Sequence, residues 1–167
     1  FVDADHGHDK VTGRSITGII GFVGSTPTIW SSKRQPCVKT STFGAEFTAL
    51  KRAVEEAVTL RYYLRSMGVK VTDSTKLYCD NMGVVINYFD PTSGLNKKTI
   101  SQAYHFIQEH IANNVIEVRK IDSSDNYADP MTKAVNSKVH NDFFYEFLRN
   151  YLYYGHSISR EYGMWGV

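Results

Sequence analysis

The sequence predicts an α/β domain: a mixed sheet with helices packed against it. Three observations carry this reading. Short runs rich in β-formers, punctuated by turn residues, fill the chain up to Ser32. The apolar spacing then switches to three and four along a stretch from Phe47 to Met67. Strand-like and helix-like segments alternate beyond it, giving the order β-β-β-α-β-α-α-β-α.

The elements follow in chain order. Phe1 to Ala4 reads as a strand, and His6-Gly7-His8-Asp9-Lys10 as a polar turn. Arg14 to Val23 carries Ile16, Thr17, Ile19, Ile20, Phe22 and Val23. Gly24-Ser25-Thr26-Pro27 is turn chemistry, and Thr28 to Ser32 resumes an extended run, so the three strands form an antiparallel meander. Phe47, Leu50, Val54, Ala57, Leu60, Leu64 and Met67 mark one face of a long helix. Ser41 or Thr42 caps it, and Gly68 stands at C′. Lys76 to Asp80 reads as a strand and Asn81 to Tyr88 as a short helix broken by Asp90-Pro91. Ile100, Ala103, Ile107 and Ile111 mark a second amphipathic helix, and Val115 to Ile121 a last strand. Phe143, Phe147, Leu148, Tyr151 and Leu152 mark a final helix. We place the domain at residues 1–150, with 151–167 as a C-terminal tail without an assigned element.

The 167 residues suffice for one domain with a real core. Hydrophobic residues at 42% and charged residues at 22% exclude wholesale disorder. The uncharged stretch from Ser15 to Trp30 is too short and too rich in Gly and Thr to span a bilayer, so no membrane partner is expected. Two cysteines, Cys37 and Cys79, make no disulfide framework and point to a reducing compartment. The chain opens at Phe1 inside a strand-like segment and reads as a piece of a longer polypeptide. A net charge of +2 neither announces nor excludes nucleic acid, because a local basic stripe outweighs the sum.

Four acids sit at odd places: Asp3, Glu46, Asp80 and Asp129. At about 100° per residue, Glu46 falls in the middle of the apolar stripe. Its i+3 and i+4 neighbours are Ala49 and Leu50, so no intrahelical ion pair is available. A capping box fails too, because Thr42 plus three is Ala45. A carboxylate facing the sheet needs a partner. A distant Lys or Arg meets that need, and a bound cation meets it equally. The other three have local explanations: Asp80 as an N-cap, Asp3 as a solvated strand end, and Asp129 as an N-cap followed by Pro130 at N1. Taken together, however, strand ends and helix starts are where an open α/β layer gathers functional groups. Converging carboxylates repel one another unless something positive lies between them. Oxygen ligands alone suit Mg²⁺, and two ions roughly 3.5–4 Å apart form the clamp used for in-line phosphodiester cleavage.

Five blocks then carry a resemblance: Val2-Asp3-Ala4-Asp5, Ile29-Trp30-Ser31-Ser32-Lys33-Arg34-Gln35, Ser41-Thr42-Phe43-Gly44-Ala45-Glu46-Phe47, Tyr78-Cys79-Asp80-Asn81 and Tyr127-Ala128-Asp129-Pro130-Met131-Thr132-Lys133. In this order and spacing the chain resembles the ribonuclease H domain of copia-type LTR retrotransposon Pol polyproteins. The resemblance runs from Phe1 to about Lys133. It implies a ribonuclease H-like fold, with a five-stranded mixed sheet flanked by helices. It implies an endonuclease that cuts the RNA strand of an RNA–DNA hybrid during reverse transcription. Asp3, Glu46, Asp80 and Asp129 match the family's four metal-binding, catalytic carboxylates. The cofactor implied is two Mg²⁺ ions, with Mn²⁺ able to substitute; Asp3 would bridge them, Glu46 and Asp80 would join one, and Asp129 the other. The partners implied are the hybrid and the reverse transcriptase domain of the same polyprotein, in a cytoplasmic virus-like particle or the nucleus. The sequence departs from the family pattern at His6, Thr99, Pro130 and Ala134, none of them a metal ligand.

Hybrid selection is expected from the shallow minor groove and the 2′-hydroxyls. Ser41, Thr42 and Asn81 suit that role, although plain helix capping explains them as well. Lys33, Arg34, Lys97 and Lys98 suit phosphate contacts, although exposed basic residues commonly form a solvated face. His6-Gly7-His8 lacks a second ligand pair at zinc spacing. Cys79 alternates onto the face opposite Asp80 and reads as core. Three other readings compete: a degenerate or domesticated domain that binds hybrid or supports a reverse transcriptase, an integrase- or transposase-like strand transferase on the same fold, and a structural domain whose acids are caps.

Overall fold

β-Branched and aromatic residues are frequent along Ile16–Val23 and Thr26–Arg34, and these runs pair as the longest antiparallel ladder. The computed structural model describes residues 1–81, 83, 98–138, 140, 141 and 145. Its elements are β1 (Val2–Asp5), β2 (Ile16–Val23), β3 (Thr26–Arg34), α1 (Thr42–Ser66), β4 (Thr75–Cys79), α2 (Lys98–Ala112) and β5 (Ile116–Lys120). Single 3-10 turns follow at Ser123–Asp125 and Asp129–Met131. The expected short helix from Asn81 to Tyr88, the last helix across Phe143 to Leu152 and the tail 151–167 lie outside the described residues.

The five strands form one sheet in the order β3-β2-β1-β4-β5. β3, β2 and β1 are antiparallel neighbours, whereas β1–β4 and β4–β5 are parallel. This is the architecture of the ribonuclease H-like fold. Parallel pairing of β1 with β4 needs a crossover, and α1 supplies it. β1 is thereby the central strand, and its first residue, Val2, pairs with Cys79 at the C-terminal end of β4.

α1 starts where Ser41 Oγ accepts a 3.1 Å hydrogen bond from the Gly44 N–H. It stops at Gly68, which takes φ +82° while the Val69 N–H bonds back to the Leu64 carbonyl, as a C′ glycine allows. Ala45, Ala49, Ala53 and Ala57 form a buried row at i+4 spacing. These small side chains lie against the sheet, and Leu50 and Val54 fill the space beside them. A second apolar cluster on the opposite face joins Phe1, Ile20, Tyr78, Ile121 and Ala128.

The helix face departs from expectation at its end. Met67 is 70% exposed, and Arg61 is buried instead. The Arg61 guanidinium turns back to the Asp73 carbonyl and Thr75 Oγ1, tying α1 to the start of β4. A long side chain can bury its stem in this way while Nη1 finds partners; the buried Nε has none. No helix among the described residues is long and apolar enough to cross a membrane.

Candidate functional site

Asp3 lies in β1 and is 4% exposed. Its position follows from register: Asp3 faces Gly18 on β2, and Gly18 faces Ser32 on β3. Asp80 follows β4 directly, so the parallel pairing of Val2 with Cys79 sets the two acids at adjacent strand ends. Glu46 approaches from the second turn of α1 and is 5% exposed. Asp129 begins the 3-10 turn that crosses back over the sheet.

These four are brought into one electrostatic neighbourhood. Burial, followed by the charges of Asp3 and Asp80, pushes the Glu46 carboxyl up to about 8; Lys133 and the Ala4 backbone N–H oppose the rise. Glu46 Oε2 is buried with no hydrogen-bond partner. The distant Lys or Arg that would have given Glu46 a structural role therefore makes no hydrogen bond to this oxygen. Asp3 is also raised, first by burial and then by Asp80 and Asp129, while the Thr132 hydrogen bond and Lys133 hold it down. Burial is the largest cause of both shifts, which is why the two innermost acids carry them; Coulomb repulsion between partly buried charges is weakly screened and adds to the rise.

The acids differ in their partners. Asp80 Oδ2 accepts a 2.7 Å bond from Ser123 Oγ. Asp3 Oδ2 accepts from Thr132 Oγ1 at 2.5 Å. Asp129 Oδ1 pairs with Lys133 Nζ. Asp129 is not the N-cap expected of it. It is the first residue of its turn, Ala128 holds the cap position, and the side chain makes no capping bond. Asp5, two residues after Asp3, pairs with His8 Nδ1 at 2.6 Å.

Cys79 is core, as expected, with no exposed surface, but it does not lie on the face opposite Asp80. Its sulfur lies on the Glu46 side, and the ligand atoms of Glu46, Cys79 and Asp80 all fall within 4.8 Å of one another. Asp80 stands just beyond β4, where the strict alternation of the strand has ended. Burial pushes the Cys79 thiol up to about 12, and Glu46, Asp80 and Asp3 add to the rise.

Among the residues expected to meet nucleic acid, Ser41 serves as the α1 cap, and Thr42 is the exposed first residue of that helix. Lys33 and Arg34 are exposed at the end of β3, level with Ala4 and Asp5 through the register of β2. Arg34 is engaged by Asp9 at 2.7 Å. Asn81 is half-buried beside Asp80. Lys98 opens α2, and Lys97 lies outside the described residues.

Sequence reading missed the residues that hold the site together. Gly18 lets the 128–132 segment cross the sheet: a Cβ there would stand 2.7 Å from the Ala128 carbonyl oxygen and from Thr132 Cγ2. Buried Asn126 donates to the Val2 carbonyl and accepts from the Ala128 N–H, both at 3.1 Å. The only sequence signal for this segment was the block from Tyr127 to Lys133, and it nominated Asp129 alone.

An apolar cavity of about 410 Å³ lies between Ile20–Val23 of β2 and Thr75–Tyr78 of β4, beside Phe1 and the C-terminal half of α1, and none of the four acids lines it. The donor set fits a divalent cation. It is rich in carboxylate oxygen, and one buried oxygen has no partner of its own.

A mixed sheet of this order with acids gathered at adjacent strand ends defines the class: an α/β domain of ribonuclease H-like architecture. The chain is homologous to a segment of retrovirus-related Pol polyproteins from copia-type transposons. It is 29% identical to the retrovirus-related Pol polyprotein from transposon RE1 of Arabidopsis thaliana over 143 residues, which are 86% of this chain. It is 28% identical to that from transposon RE2 of the same plant over 143 residues, again 86% of this chain. It is 30% identical to that from transposon TNT 1-94 of Nicotiana tabacum over 135 residues, 81% of this chain. The chain spans 10% of the length of each of these relatives. No family model matches the chain, and no solved structure matches it.

Proposed function

We propose that this chain is a magnesium-dependent ribonuclease H: it hydrolyses the RNA strand of an RNA–DNA hybrid, leaving 3′-hydroxyl and 5′-phosphate ends. The observation that carries the reading is Glu46, a buried carboxylate in an apolar helix face with one oxygen unpartnered and two further acids raising its charge cost. An arrangement that repels itself is tolerable when divalent ions fill it.

Asp3, Glu46, Asp80 and Asp129 would hold two Mg²⁺ ions. When bound, such ions lower the pKa of water and stabilise charge on the scissile phosphate. The chain's own residues supply the rest. Thr132 fixes the orientation of Asp3. Ser123 does the same for Asp80. Lys133 limits the net negative charge at the rim through Asp129. Ser41, Thr42 and Asn81, near the acids, would read 2′-hydroxyls across the minor groove. Lys33, Lys97 and Lys98 would meet phosphates, with Arg34 joining them once released from Asp9. The polyprotein relatives support a setting within a Pol polyprotein; we place the chain beside the reverse transcriptase domain of that polyprotein, in a cytoplasmic virus-like particle or the nucleus.

The test is cleavage of a labelled hybrid, with duplex DNA and single-stranded RNA as controls. The expected result is RNA-strand cleavage in the hybrid alone, dependent on Mg²⁺, abolished by EDTA and reduced at least a hundredfold in Asp80→Asn. Undiminished cleavage by Asp80→Asn removes this site. DNA strand cleavage in the absence of RNA would favour the strand-transferase reading instead.

A further inference from the structure

Cys79 is the side chain in the acid cluster that an oxygen-only site leaves unused. We propose that Glu46, Cys79 and Asp80 form a site for a thiophilic divalent cation of the zinc or cadmium class, held by one sulfur and two carboxylate oxygens. The inference shares two acids with the function proposed above but does not rest on it.

Three observations carry it. The three ligand atoms lie within 4.8 Å of one another. A zinc–sulfur bond of about 2.3 Å and zinc–oxygen bonds of about 2.0–2.2 Å span such a triangle after a small inward adjustment of the side chains. Glu46 is 95% buried, the complement of its 5% exposure, and its Oε2 has no partner. Cys79 is fully buried and is the last residue of β4. Its backbone is fixed on both sides by pairing with Val2 and Lys120, and its carbonyl accepts from the Ile121 N–H. The sulfur is therefore presented by the most constrained part of the sheet.

The chemistry follows from ligand softness. Magnesium takes oxygen ligands and leaves a thiol protonated, whereas zinc and cadmium bind the thiolate. Binding releases the thiol proton to solvent, and the metal–sulfur bond offsets the cost of the buried thiolate. The same carboxylates then serve two kinds of ion. A hard cation uses oxygens alone, and a soft one adds the sulfur and excludes the first.

The experiment adds Cd²⁺ to the full 167-residue chain and reads the sulfur-to-cadmium charge-transfer band in the ultraviolet, which histidine ligands do not produce. Exposed Cys37 would report as well, so every measurement uses a Cys37→Ser background. The band is expected to saturate at one ion per chain, to yield to equimolar Zn²⁺ and to require a large excess of Mg²⁺ for displacement. It should vanish when Cys79→Ser is added and move at least tenfold to weaker affinity when Glu46→Gln is added. No band, a band that survives Cys79→Ser, or an affinity unmoved by Glu46→Gln overturns the proposal. The Glu46→Gln arm keeps the thiol and decides the matter if Cys79→Ser fails to fold. Magnesium calorimetry on Cys37→Ser, with and without Cys79→Ser, tests the magnesium site separately, because the sulfur plays no part in it.

Discussion

Thr132 Oγ1 donates a 2.5 Å hydrogen bond to Asp3 Oδ2 across 129 positions of sequence. Both residues are buried, and the same hydroxyl lies 2.9 Å from the Asp129 carbonyl oxygen. One side chain thus joins the central strand to the turn that carries the fourth acid. The bond favours ionised Asp3 against the burial that raises it. Thr132→Val keeps the shape and removes the donor. Its expected cost is about 1–3 kcal/mol of stability, as for a buried acceptor left without its donor. The Asp3 carboxyl should titrate at still higher pH. Denaturant unfolding and side-chain carboxyl NMR check the two parts, and a variant indistinguishable from wild type in both would show that the hydroxyl is idle.

The close crossing over β2 gives a second prediction. A Cβ at Gly18 meets the Ala128 carbonyl oxygen and Thr132 Cγ2 at 2.7 Å and Met131 Cβ at 2.9 Å. Two of these are fixed by the turn itself and cannot rotate away. Gly18→Ala should cost about 1–3 kcal/mol by overpacking and should reduce hybrid cleavage at least tenfold, because Thr132 and Asp129 move with the turn. Gly21→Ala is the matched control. Its Cβ stands 3.4 Å from Ile29 Cβ at the nearest, so activity should hold within twofold. Equal effects at the two glycines would remove the crossing as the cause.

These residues mark how far the sequence was legible. Strand order in the meander, the α1 cap at Ser41 and the stop at Gly68 depend on neighbours a few positions away, and local chemistry announces them. Glu46 was legible for the same reason: a charge in the middle of a helical stripe is conspicuous within two turns. Thr132, Asn126 and Gly18 were not, because each acquires its role from a partner on a distant element. Arg61 was masked by Met67, which keeps the apolar period while the chain has already left the sheet. Cys79 was misplaced because strand alternation was extended one residue past the end of the strand, to Asp80.

Glu46 links the cluster to pH. Its carboxyl ordinarily titrates at 4.5 and is raised to about 8 in the fold. The folded state therefore holds a proton that the unfolded chain has released between these values. Stability from this group is fully present below pH 4.5 and is lost as pH rises through 8, because the unfolded state binds fewer protons across that window. Glu46→Gln keeps the acceptor that faces the Ala4 N–H and cannot ionise. In EDTA, the wild-type melting temperature should fall more steeply than that of the variant between pH 5 and 8.5, so that the variant is the more stable protein at the upper end. Parallel profiles for the two proteins would mean that Glu46 ionises normally. Saturating Mg²⁺ should remove the wild-type slope and leave the variant largely unaffected.

Lys133 supplies the opposite charge and yields a prediction that runs against its apparent role. It pairs with Asp129 and also lowers the charge cost at Asp3 and Glu46. In the metal-free protein it acts as a partial counterion for the whole cluster. A divalent ion entering the same space meets its repulsion, so the two compete for one field. Lys133→Met should therefore destabilise the protein in EDTA at pH 8, where the acids are most ionised, and strengthen Mg²⁺ binding severalfold. The increase in melting temperature on adding Mg²⁺ should be larger than in wild type. Calorimetric titration with Mg²⁺ at low ionic strength reads the affinity directly, and raising the salt should shrink the difference between the two proteins. Weaker Mg²⁺ binding by Lys133→Met would instead assign Lys133 to holding Asp129 in position, with its charge a lesser contribution.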